Sequence, residues 1–206
     1  MYKQNVETTL TYYILFSLMY LLYLYDNRLG IILSIFGLLT AWRLKYTDDN
    51  YSDSSVLKAY LILSFSLIIY LTVTNTIPNH IFNSTATGLL MINIFILIFT
   101  FDSINRKRFC LILTILFIVI TTPILKYKNN KISLGSNIID KDLWVILQSI
   151  ILGIFYLTNQ KFRMNPNIHL ILFSLFAPAI LHFTSNDWLV SRALFLNLFI
   201  MIDTFN

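Results

Sequence analysis

Residues 168–183 read IHLILFSLFAPAILHF, sixteen positions of which only His169, Ser174 and His182 are polar. Coiled as an α-helix they reach about 24 Å at 1.5 Å per residue. A hydrocarbon core is about 30 Å thick, and anchored ends make up a difference of that size. The stretch has no period-two alternation, so it does not read as a barrel strand. A helix satisfies its own backbone in lipid, which a lone strand cannot.

Seven further apolar stretches share this character: Leu10–Tyr25, Leu29–Trp42, Leu57–Ile77, Ala86–Phe101, Phe109–Leu125, Asp142–Leu157 and Trp188–Ile202. The expected fold is an all-α polytopic integral membrane protein, residues 1–206 forming a single transmembrane helical domain. It has about eight transmembrane helices, or seven if the short Leu29–Trp42 makes a re-entrant or tilted hairpin with the first. Short links at Asp26–Arg28, Pro78–Thr85 and Thr184–Asp187 make antiparallel neighbours of the helices they join. Four antiparallel hairpins in series follow. The longest polar stretches, Lys45–Ser55 and Lys126–Asp142, are loop-sized. The first apolar stretch lacks a small-residue cleavage site and is read as a retained helix.

With 57% hydrophobic and 12% charged residues, the composition excludes an ordinary soluble domain. The chain has 31 Ile and 17 Asn against 6 Ala and 5 Gly. That bias fits an A/T-rich coding genome, such as that of an organelle, a virus or some bacteria. Scarce Gly also argues for bulky helix surfaces that pack against lipid or against other subunits. The net charge of +5 sits in membrane-flanking links and reads as an orientation signal, not as a nucleic-acid footprint. With the N-terminus inside, internal segments carry nine basic residues and external links five. The positive-inside rule then puts both termini on the cytoplasmic or matrix side, although the Lys-rich link after Leu125 counts the other way. The lone Cys110 excludes an internal disulfide and a cysteine-based metal cluster.

Polar groups at bilayer depth are the best pointers to chemistry, because leaving them unpaired in hydrocarbon is costly. Asn93, Gln148 and Asn197 each fall near the middle of a segment. They are expected either to line a solute path or to tie helices together by hydrogen bonds. The last hairpin gathers His182, Asp187 and Arg192. Arg192 lies about 6 Å along the helix from Trp188, a depth from which it can snorkel to the headgroups or pair with Asp187. Alternatively the three form a proton- or anion-handling cluster, since His titrates near neutrality. Trp42, Trp144 and Trp188 sit at span edges and read as interfacial belt residues. The tyrosines of the first helix, Tyr12, Tyr13, Tyr20, Tyr23 and Tyr25, read the same way or as a partner-facing set. Asp102 is expected to pair with Arg106 at i+4. Asn83-Ser84-Thr85 fits the glycosylation pattern in an outside link, but so close to a helix that modification is hindered.

The sequence holds no Gly-rich phosphate loop, no His-Glu-x-x-His, no Gly-x-Ser-x-Gly and no histidine pair at i, i+4. No cofactor and no metal site are therefore expected. The leading expectation is an accessory or structural subunit of a larger membrane complex. Its partners would be the bilayer and other membrane subunits or copies of itself. The alternatives are a small channel or transporter lined by the mid-membrane amides and Arg192, and an intramembrane enzyme using His182, Asp187 and Arg192.

Overall fold

The computed structural model describes residues 2–46, 53–74, 76–101, 105–128, 131–159, 168–185 and 187–205. Among these, eight α-helices run α1 Tyr2–Tyr25, α2 Asn27–Tyr46, α3 Asp53–Val73, α4 Asn79–Phe95, α5 Arg106–Ile120, α6 Lys141–Thr158, α7 Ile168–Ser185 and α8 Trp188–Phe205. A 3-10 segment, Ile96–Thr100, continues α4. Three helices are long and apolar enough to cross a membrane: Asn79–Phe99, Lys141–Thr158 and Ile168–Ser185. Shorter apolar stretches lie in α1, α2, α3 and α8.

Local chemistry sets the helix boundaries. Asp26 alone separates α1 from α2, and its Oδ1 accepts the Arg28 N–H at 2.9 Å. Asn105 caps α5 by accepting the Arg108 N–H at 2.9 Å. Asp140 caps α6 through the N–H groups of Asp142 and Leu143. Those two backbone donors chiefly hold the exposed Asp140 carboxyl below the usual carboxylate range. α4 opens at Asn79, directly after Pro78, seven residues before the expected start at Ala86. Asn83 is consequently a helix residue and not part of a link. With its amide oriented to donate, its nitrogen lies 2.8 Å from the Leu125 carbonyl, a placement that leaves no free acceptor for glycosylation.

The largest departure from expectation follows α5. That helix ends at Ile120, and Ile124 and Leu125, read as its last turn, belong to a β-hairpin instead. Strand β1, Ile124–Lys128, pairs antiparallel with β2, Lys131–Gly135, in the register Ile124 opposite Gly135. Pro123 explains the stop, since it has no N–H to continue the helical ladder. The hairpin is two-faced: Leu125, Tyr127, Ile132 and Leu134 are buried, whereas Lys126, Lys128 and Lys131 are exposed. β1 lies on α4, with the Leu125 N–H donating to Thr87 Oγ1 at 3.1 Å.

Consecutive helices α1 and α2, α3 and α4, α5 and α6, and α7 and α8 are neighbours in space. The assembly is not a simple series, because α8 also packs on α1, α2, α3 and β2 and so runs through the middle. Two of the glycines serve close helix approaches. A Cβ on Gly30 would meet the Tyr23 Cβ at 2.6 Å, where α2 turns back on α1. At Gly153 it would meet the Phe176 ring at 3.0 Å, where α6 crosses α7.

Candidate functional site

The tryptophans are the first guide inward. Trp144 and Trp188, expected at the lipid interface, are both fully buried. Their rings meet edge to face, 5.5 Å apart at 83°. Trp144 donates from Nε1 to the Ile118 carbonyl at 3.2 Å. Trp188 Nε1 finds no hydrogen-bond partner among the described residues. Tyr12, also expected near an interface, is buried and donates to the Phe195 carbonyl at 3.2 Å. Tyr25 keeps the expected exposure.

The structure does not join His182, Asp187 and Arg192. His182, near the end of α7, lies with Nε2 2.8 Å from Asp142 Oδ1 at the start of α6. That contact ties two neighbouring helices together at one end. Asp187 sits just ahead of α8, and its carbonyl accepts from Ser191 N and Ser191 Oγ at 3.0 and 2.7 Å. Burial pushes the Asp187 carboxyl above the usual range, opposed by a hydrogen bond with Ser185 and by the charge of Lys131. Among the described residues Arg192 forms no ion pair with Asp187; its hydrogen bond goes instead to the helix that carries Pro178.

Pro178 lies inside α7 and has no N–H to give. The carbonyl four residues back, that of Ser174, loses its intrahelical donor. Arg192 Nη1 donates to that same carbonyl. Arg192 thus bridges α8 to α7 at the point where α7 cannot satisfy itself. Sequence reasoning passed over Pro178, although a proline in an apolar run and a cation in the following run were both visible.

The three amides expected at bilayer depth divide. Asn197 is fully buried and donates from Nδ2 to Ser66 Oγ at 2.9 Å, joining α8 to α3. Asn93 and Gln148 instead share a cavity with Arg192, enclosed by α3, α4, α6 and α8. Its volume is about 40 Å³. Tyr156 and Trp188 also reach it, and the remaining wall is aliphatic and aromatic, from Phe65 to Leu196. The lining thus combines Arg192, Asn93, Gln148, Tyr156 and Trp188 with otherwise apolar residues. Asp102, expected to pair with Arg106, and Asn186 lie outside the described residues. Among the described residues, no group of three or more His, Cys, Asp or Glu gathers as a metal cluster. Comparison with models of known protein families, with curated proteins and with solved structures finds no match.

Proposed function

We propose that the chain crosses a membrane with all eight helices, as four antiparallel hairpins, and serves as an accessory or structural subunit of a larger membrane complex. The observation that carries this reading is the use made of the interior polar groups. Asn197 is taken up by Ser66, His182 by Asp142, and Arg192 by the Ser174 carbonyl. Each of these is a helix-to-helix fastening, and in lipid such contacts contribute roughly 0.6–2 kcal/mol apiece. Outward, α1 exposes Leu10, Ile14, Leu18 and Leu21, and α6 exposes Ile146, Ile150, Ile154 and Leu157. These are stripes at helical spacing that suit hydrocarbon or a neighbouring helix. The basic-residue asymmetry supports both termini on the cytoplasmic or matrix side.

Extraction of the full chain in a mild detergent, followed by native sizing, tests the proposal. A particle well above the 24.1 kDa chain plus its micelle, with stoichiometric membrane partners or copies, is the expected result. A monomeric particle that keeps its fold would overturn it.

A second reading, a small channel or transporter, rests on the cavity shared by Asn93, Gln148 and Arg192. At about 40 Å³ that space holds a few waters and is no continuous route. The geometry gives an intramembrane enzyme no support, since His182, Asp187 and Arg192 go to separate partners.

A further inference from the structure

We propose that the cavity between α4, α6 and α8 is a binding site for a compact monoanion, either a small inorganic ion or the carboxylate head of a fatty acid. Four observations point to one kind of ligand. First, the residues that line the cavity are rich in donor side chains: Arg192, Asn93, Gln148, Tyr156 and Trp188. Among the described residues no carboxylate lines it.

Second, Arg192 carries a full charge whose only described hydrogen bond goes to a neutral carbonyl. Among the described residues no carboxylate forms an ion pair with it. A cation in a low-dielectric setting calls for a counter-charge, and buried charges in proteins are generally paired. Third, Trp188 is 1% exposed, lines the cavity, and has an indole N–H with no partner among the described residues. An N–H in that state lacks an acceptor, and indole nitrogen can only donate. Fourth, the Gln148 carbonyl oxygen has Ser149 Oγ 3.5 Å away, which favours the orientation that leaves its NH₂ end for the cavity.

Size sets the class. A single water needs about 10–15 Å³, so about 40 Å³ admits roughly three or four such groups. A halide or a lone carboxylate fits that limit, whereas a phosphodiester headgroup or a sugar does not. The proposal does not depend on whether the protein is a subunit or a transporter, because either can hold a structural or a carried anion.

The site carries its own reporter in Trp188. Full-length protein in a non-ionic detergent would be titrated at constant ionic strength with sodium chloride and, separately, with decanoate, using decanol as the uncharged control. Tryptophan fluorescence is the readout. A saturable change with chloride alone identifies a free ion, and one with decanoate but not decanol identifies a lipid carboxylate. Either supports the site. Arg192→Gln is expected to weaken the response by at least about tenfold. Gln148→Leu keeps the clamp on Ser174 and remains informative if the arginine variant does not fold; it too should weaken binding several-fold. Absence of saturation in the wild-type protein, or saturation unchanged in every variant that folds, would overturn the proposal.

Discussion

Helices α1 and α8 look alike as strings, both rich in Leu, Phe and other apolar residues, but they occupy opposite surroundings. From Leu10 to Tyr25, α1 exposes Leu10, Ile14, Leu18, Leu21, Leu24 and Tyr25 along one side. From Trp188 to Leu198, α8 buries Trp188, Leu189, Val190, Ala193, Leu194, Phe195 and Leu198. Apolar content does not separate them. What does is where the polar groups go: Arg192 and Asn197 of α8 reach Ser174 on α7 and Ser66 on α3, while Ser17 of α1 stays on its exposed side. In the proposed lipid setting, polar groups that bond across helices favour the interior of the bundle, which is where α8 lies.

The sharpest way to break this contrast is to truncate one large apolar side chain on each helix. Phe195 is fully buried, stacks on Phe16 at 3.4 Å and meets Phe173 edge to face. Phe195→Ala is expected to cost about 2 kcal/mol, the cavity contribution alone, because lipid and not water is the alternative solvent. Leu18→Ala, on the exposed side of α1, should stay within about 0.5 kcal/mol. Reversible unfolding in mixed micelles measures both, and equal effects would remove the distinction between the two helices.

Next in size is the coupling between Arg192 and Pro178. Arg192→Ala strands the Ser174 carbonyl and is expected to cost about 1–3 kcal/mol. In a Pro178→Ala background the restored backbone N–H supplies that carbonyl, so the same change should cost clearly less. A double-mutant cycle with no coupling would show that the arginine is not answering the proline.

The smallest effect concerns the entrance to α8. Because burial raises the Asp187 carboxyl, the folded protein holds its proton more tightly than the unfolded chain does. Its ionisation therefore weakens the fold as pH rises above about 3.9, the ordinary aspartate value, and the full penalty stands once the raised folded value is passed. Asp187→Asn keeps a good capping residue and is expected to raise the melting temperature slightly at pH 7, with the gain gone near pH 3. A gain that persists in acid would show that charge is not the cause.

Much of the fold was legible because apolar runs and helices coincide here. Seven of the eight helices begin or end within a few residues of stretches visible in the chain, and α4 differs mainly because Pro78 starts it early. The hairpin at 124–135 is written in the alternation of Ile124-Leu-Lys-Tyr-Lys128, whose lysines equally fit a charged link between helices. The candidate site was readable only in part. Asn93, Gln148, Asn197 and Arg192 stood out as costly in hydrocarbon, yet which of them would meet depended on how α8 threads between α2, α3 and α7. Nothing local encodes that placement. The partners Asp142 and Ser66 are ordinary residues in their own helices and gain meaning only from what stands opposite.

The bond between Arg192 and the Ser174 carbonyl also has a consequence for biosynthesis. Ribosomes deliver the acceptor eighteen residues before the donor. On the proposed membrane reading, a bare peptide oxygen faces the bilayer or the channel wall while α7 leaves the translocon and α8 is still being made. The seventh helix would then be finished only by the arrival of the eighth, a reason for this pair to enter a membrane together.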